Sequence, residues 1–387
     1  MTSRLFDGIA IISSGQTAYH KHPEVPAMWY LVEATRLALA KANIRNSEVD
    51  GLAVSSFMLP PDNTATLAEH MGMTLGWAFL GTFGGASQVV AIMRAAQAIR
   101  QGEAEVIVLV AGDSYSVAAH YSLMADFNSA MRDYVAPYGM GGTNGLFAML
   151  ERRHSYDFGT TKAQLGKLAV VQRANAQRNP NALLRRPMTL EDYLGSRMIC
   201  DPIRLYDCVL PCGGGEAIVM TTADRARASG RQPVFVLGGG ESSNFAPDDL
   251  LMLQGGWTEF APRMFEDAEL GPSEVDMVQL YDDYPIMELI QLEGLGFCER
   301  GAGGRYVAET DISLHGDLPI NTGGGQLSCG QSGAGGGAIG VTEAVMQLQS
   351  EAGDRQVPDA RTALVSGFGM VGFTKGLCQA AVLLARR

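Results

Sequence analysis

Ser328, Cys329 and Gln331 lie in a stretch that reads NTGGGQLSCGQSGAGGGAIGVTEAVMQL from Asn321 to Leu348. A thiol is a nucleophile once deprotonated, and no basic residue stands near Cys329 in sequence to favour the thiolate. Gln331 cannot exchange protons, but its amide can donate a hydrogen bond to a thioester or hydroxyl oxygen. The surrounding glycines let a ligand approach the main chain closely. A glycine loop that opens a helix also offers backbone N–H groups to an oxyanion or a phosphate. The other cysteines are Cys200, Cys208, Cys212, Cys298 and Cys378, with spacings that fit neither a zinc ribbon nor a small disulfide scaffold. None of the six histidines forms a pair at metal-ligand spacing, so no metal is expected. Two basic pairs, Arg152-Arg153 and Arg185-Arg186, suit phosphate groups or, equally, a solvated face.

The elements that must position these residues follow from periodicity. Past the glycines the run turns helical, with Ile339, Val345 and Leu348 on one face and Glu343 and Gln347 on the other. A flexible linker would not end this way and then meet the apolar, strand-like run Thr362–Ser366. Upstream, Gly8–Ser13, Val49–Phe57 and Glu105–Ala111 read as strands, and Met28–Lys41 and Thr64–His70 as helices. A long helix starts at Gly84-Gly85 and ends at Gly102. From about Gly112 to Gly214 a mostly helical insertion is expected, with a capping box at Thr189 and Asp192. Glu216–Thr222, Pro233–Gly239 and Val275–Tyr281 follow as strands, then a helix over Asp283–Leu295 and closing strands Ala363–Ser366 and Gln379–Leu384. The order repeats, which suggests an internal duplication into 1–230 and 231–387.

At 387 residues the chain exceeds one ordinary core. Its 47% hydrophobic and 18% charged residues read as soluble and globular. A net charge of −12 argues against a nucleic acid or an anionic membrane as partner. The start, MTSRLFDGIAII, does not read as a leader, and no apolar run is long enough to span a bilayer. A cytoplasmic protein with reduced thiols is the expectation.

Four segments in order carry a resemblance to a known family: FGGASQVVAIMRAAQAIRQGEAEVIVLVAGDS, NPNALLRRPMTLEDYLGSRMICDPIRLYDC, LYDDYPIMELIQLEGLGFCERGAGGRYV and the glycine stretch above. Together they resemble the thiolase superfamily, in its sterol-carrier and lipid-transfer-protein branch. The resemblance implies an α/β, five-layered αβαβα fold from two duplicated halves, a tight homodimer and a CoA thioester as substrate, with no covalently bound cofactor. For CoA it leaves Arg185, Arg186 and Ser328 as candidates. It also implies a possible small OB-fold and zinc-ribbon subunit completing a heterotetramer.

The departures from the family pattern decide the chemistry. The nucleophilic cysteine position is Gly85, the histidine of the glycine loop is Gln331, and the second cysteine falls near Val365 or Ser366. The box that orients catalytic groups becomes Tyr281-Asp282-Asp283-Tyr284. Backbone N–H groups near Gly85 and Gly367 are expected to persist as an oxyanion hole. Tyr281, with Asp282 beside it, is the candidate acid or base, although a phenol of ordinary pKa about 10 needs help to act as a base. Three readings follow: retro-aldol cleavage of a β-hydroxyacyl-CoA with a steroid-like or other hydrophobic side chain, an acyltransferase with its nucleophile relocated to Cys329, or a non-catalytic binding subunit.

Overall fold

In the computed structural model, residues 6–140, 142–246, 248–249, 251, 253–372 and 375–387 are described. Met1–Leu5, the first part of the start read above for a leader, lie outside them. The first half runs β1 (Ile9–Gln16), α1 (Ala27–Ala42), β2 (Gly51–Ser55), α2 (Thr64–Met71), β3 (Trp77–Leu80), α3 (Ser87–Gln101) and β4 (Val106–Ser114). The insertion holds α4 (Val117–Ala125), α5 (Asn144–Phe158), α6 (Lys162–Ala176), α7 (Leu190–Leu194) and a small pair, β5 (Met198–Cys200) and β6 (Ile203–Arg204). The chain returns through β7 (Gly213–Thr222) and α8 (Ala223–Ala228). Then come β8 (Val234–Ser243), α9 (Trp257–Ala268), β9 (Val278–Gln279), α10 (Pro285–Gly294) and α11 (Gly303–Glu309). The last elements are α12 (Gly325–Cys329), α13 (Gly336–Leu348), β10 (Thr362–Gly372) and β11 (Lys375–Arg386).

Strand order explains the layers. The hydrogen-bonded sheet runs β3-β2-β4-β7-β1, passes a short antiparallel join at Ala10–Phe235 and Ile11–Val234, and continues β8-β11-β10-β9. Beyond β9 a single parallel bridge, Val278 to Ile320, stands where one more strand would lie. Counted from its own first strand, each set reads third, second, fourth, fifth, first. Side chains alternate across these strands as the pleat requires. On β4, Val106, Val108 and Val110 enter the core under α1 and α2, whereas Ile107 and Leu109 enter the core around α3 and α13. On β11, Val382 and Leu384 face that same central core, and Leu383 and Ala385 face the outer one under α9 and α10. Two sheet layers between three helix layers result, with α3 and α13 in the middle.

Several expectations need correction. α13 is central, so Glu343 and Gln347 are buried and not on a solvent face. Glu343 pairs with Arg355 at 2.9 Å, and Gln347 takes the Val357 amide and donates to the Arg355 carbonyl. β9 covers only Val278–Gln279 of the expected Val275–Tyr281, so Tyr281 lies in the loop beyond it. β10 and β11 are longer than expected and pair along most of their length. α3 ends where Gly102 turns left-handed, at φ 74°, and the Thr189–Asp192 capping box forms. In the insertion, Lys162 bridges the buried carboxyls of Glu151 and Asp207, which holds α5, α6 and the loop after β6 together.

Candidate active site

Two helix starts meet at one cleft. Gly84–Ala86 forms a 3-10 turn before α3, and Gly333–Gly335 forms another before α13. Each opens on a glycine with left-handed backbone, φ 55° at Gly84 and φ 57° at Gly333, a conformation that strains a side chain. Gly84, Gly85 and Gly333 line the cleft, so both positive helix ends point to it. The helices touch at their tips: a β-carbon on Gly337 would fall 1.9 Å from the Gly85 carbonyl oxygen. Asp113 fixes this meeting point from behind. Its buried carboxylate accepts from the amides of Phe57, Met58 and Ala334 and from the Ser56 hydroxyl, and burial raises its pKa to about 6.

Tyr281 fills the space in front of Gly85. A β-carbon on Gly85 would lie 2.0 Å from Tyr281 Cε2, 2.4 Å from its Cζ and 2.6 Å from the Phe368 carbonyl oxygen. Any side chain at position 85 and the Tyr281 ring therefore exclude each other. Burial, with Asp283 and Asp282 nearby, pushes the phenol well above its ordinary pKa. Of the two roles expected for Tyr281, acid or base, this burial favours the protonated phenol.

Asp282 does not line the same cleft. Its carboxylate accepts the Gln326 and Leu327 amides at 2.9 and 3.1 Å, which caps the start of α12. Burial raises its pKa to about 7. Gln326, held in this way, stands beside Tyr281, and its Oε1 accepts from Gln331 Nε2 at 3.1 Å. Gln331 itself lines the cleft, as expected.

The remaining candidates fall elsewhere. Cys329 is buried, and its Sγ bonds the Gly323 carbonyl at 3.1 Å and Asn179 Nδ2 at 3.4 Å. Burial holds the thiol protonated, well above its ordinary value. It packs with Cys212 and Tyr19 in a small core and not on the cleft. Ser328 is buried too, its hydroxyl accepting from Arg173 Nε at 3.0 Å, so it offers no surface to CoA. Arg185 and Arg186 are exposed just after Leu183 and Leu184, whose amides bond the Cys329 and Ser328 carbonyls. Gly367 lies behind the cleft, opposite Ala380 in the sheet and against Ala86 Cα. The part of β10 that faces the cleft is Phe368–Val371, with Gly369 pressed against the Phe83 carbonyl.

Three groups come to the cleft that sequence reasoning missed. Asp283 lines it, with Oδ1 shut from solvent and without a hydrogen-bond partner. His120 of α4 lines it as well, its Nδ1 3.0 Å from the Tyr115 hydroxyl, and burial lowers its pKa. Tyr284, the last residue of the same box, stacks on Phe147 and also bonds Asn144 and Thr143 through its hydroxyl. The cleft has an accessible volume of about 80 Å³ and opens to solvent. Across His120, Met124 and Thr143 it shares a wall with a second, apolar cleft lined by Tyr121, Met131, Ala136 and Met140.

Comparison with known proteins places this geometry. A thiolase C-terminal domain-like model matches residues 245–378. A steroid side-chain-cleaving aldolase from Thermomonospora curvata is 30% identical over 82% of this chain and 85% of its own length. The chain belongs to the thiolase superfamily. Within it, the sterol-carrier-like branch fits. A 17-hydroxy-3-oxo-4-pregnene-20-carboxyl-CoA lyase from Mycobacterium tuberculosis is also 30% identical, over 88% of this chain and 91% of the lyase. A solved structure described as the Ltp2-ChsH2(DUF35) aldolase superposes with a TM-score of 0.86 at 29% identity, covering 99% of this chain and 98% of that one. The thiolase-type five-layer expectation is met, and the protein is an enzyme of this superfamily.

Proposed function

We propose that the enzyme cleaves a β-hydroxyacyl-CoA by a retro-aldol reaction, giving a ketone or aldehyde and a shorter acyl-CoA. One observation carries this reading: the Tyr281 ring occupies the volume that a nucleophile at position 85 would need. An acyl-enzyme at that position is excluded, and a proton donor stands in its place. Loss of the β-hydroxyl proton lets the Cα–Cβ pair collapse toward the thioester as the carbonyl product forms. The enolate oxygen is held at the converging ends of α3 and α13, where backbone dipoles favour negative charge. The Tyr281 phenol, protonated at neutral pH, then supplies the α-carbon with a proton.

The apolar cleft beside His120 and Met124 suits a bulky hydrophobic acyl group, because methionines adapt to irregular apolar surfaces. A steroid-like side-chain intermediate fits both that cleft and the relatives' names. Arg185 and Arg186, exposed beside the α12 loop, are the proposed contacts for the CoA phosphates. The test is turnover of such a thioester in the presence of iodoacetamide. Carbonyl product and shorter acyl-CoA should form in equal amounts, without free CoA and without loss of rate. A requirement for free CoA, or inactivation that tracks alkylation of Cys329, sinks this reading in favour of the acyltransferase.

Assembly belongs to the same proposal. β3 is an edge strand whose Trp77 and Phe79 rings stack and whose Leu80 is exposed, an unprotected edge that a second copy would cover. Sedimentation at micromolar concentration should give a dimer or larger, and a stable monomer would refute it. A small OB-fold and zinc-ribbon subunit in a heterotetramer is the further partner proposed. A cytoplasmic setting agrees with six free cysteines. Among the described residues, no helix is long and apolar enough to cross a membrane.

A further inference from the structure

We infer that Asp283 is the general base that takes the proton from the substrate's β-hydroxyl. The inference rests on the retro-aldol reading and supplies the group which that reading lacks, since Tyr281 is a donor. Asp283 shares the cleft with Tyr281, Gln331 and Gly85 and is partly open to it. Its Oδ1 is a buried acceptor with no partner. A carboxylate oxygen left unpaired away from water costs free energy unless a ligand satisfies it. Asp282 caps α12 and Asp113 holds the turn before α13, while Glu288, whose Oε1 is likewise unpaired, does not line the cleft.

The surroundings suit a base. The titratable groups facing Asp283 are Tyr281, Asp282 and Tyr284 on its own loop, Glu288 on α10 and Cys208 of the insertion. Tyr115 and His120 line the cleft with it. Burial and the nearby Asp282 raise the Asp283 pKa well above the usual carboxylate range, which strengthens the ionised form as a proton acceptor. His120 is the competing candidate; its Nδ1 is engaged with the Tyr115 hydroxyl, and the His120→Gln variant below separates the two.

The step balances without a co-reactant. Asp283 takes the hydroxyl proton, the O–H pair becomes the carbonyl π bond, and the Cα–Cβ bond breaks. Its electron pair passes to the α-carbon and onto the thioester oxygen. Tyr281 protonates the α-carbon, and the proton on Asp283 returns to Tyr281 directly or through solvent.

Two readouts on the full-length enzyme separate the roles. The first is kcat/KM for a β-hydroxyacyl-CoA across pH, and the second is α-proton exchange of the short acyl-CoA product in D2O. Asp283→Asn should lower cleavage by about 10²–10⁴-fold and abolish the acid limb of the pH profile. α-Exchange reports on Tyr281 and the helix ends, and should be lost in Tyr281→Phe. Asp283→Glu should recover part of the cleavage and keep an acid limb, which guards against misfolding of the Asn variant. An Asn variant that cleaves like the parent overturns the assignment. So does an acid limb that disappears in His120→Gln but persists in Asp283→Asn. A parent that exchanges α-protons yet cleaves no β-hydroxyacyl-CoA overturns the reaction itself, and this role with it.

Discussion

Tyr281→Phe lowers kcat on a β-hydroxyacyl-CoA by about 10²–10⁴-fold, the usual contribution of a placed proton donor or acceptor. The expectation rests on how little else the substitution changes. The ring still fills the space before Gly85 and still packs near Phe368, 6.0 Å between centroids. What is lost is a buried hydroxyl beside two carboxyls, with its contact to the Gln326 side chain. The melting temperature should therefore stay level or rise slightly, since a desolvated polar group leaves the core. Single-turnover cleavage together with a thermal melt checks both halves. Near-full turnover would mean that the α-carbon takes its proton from elsewhere, and the assignment would fall.

Gly85→Ala should be as damaging to turnover and, unlike the phenylalanine variant, costly to stability. The new methyl would lie 2.0 Å from the Tyr281 ring and 2.6 Å from the Phe368 carbonyl. The carbonyl belongs to a paired strand and cannot retreat, so the tyrosine must leave its place. Overpacking of this kind costs about 1–3 kcal/mol. A double-mutant cycle identifies the cause. In a Tyr281→Ala background the space is vacant, and Gly85→Ala should then cost much less stability than in the parent. Equal costs in both backgrounds would place the clash on the strand alone. By the same geometry, Gly85→Cys should not produce an acyltransferase, because its thiol and the Tyr281 ring compete for one volume.

The legible part of this molecule was what period and glycine placement encode. The run EVIVLVA alternates between two cores as β4, and Gly102 stops α3 with a left-handed turn. The family box also led to the correct loop, and Gly85, Tyr281 and Gln331 do share one cleft. Of the two aspartates in that box, Asp283 lines the cleft and Asp282 does not, and a local signal points this way. In extended chain, residues two apart share a side, so Asp283 accompanies Tyr281 and Asp282 turns away. Trp257–Ala268 carries Pro262 within it, yet Trp257, Ala261, Met264, Phe265 and Ala268 recur at helical spacing, a local signal for the helix that packs against β8 and β11. Other features had no such signal. Glu343 and Gln347 mimic a solvent face, because a buried partner such as Arg355 lies outside any helical window. His120 reaches the cleft only through the path of an irregular insertion, which sequence period cannot trace.

The contact between the tips of α3 and α13 also bears on how such an enzyme changes its reaction over time. The anion-stabilising part of the site is built from main chain, anchored in the innermost layer, and present whatever side chains surround it. Exchanging a thiol for a glycine, or a histidine for a glutamine, alters which bond is made or broken and leaves that part in place. New chemistry can therefore be tried one side chain at a time on a scaffold that already tolerates a thioester enolate. The constraint falls on the glycines instead. Gly337, whose β-carbon would strike the Gly85 carbonyl, can vary far less than any residue that moves a proton.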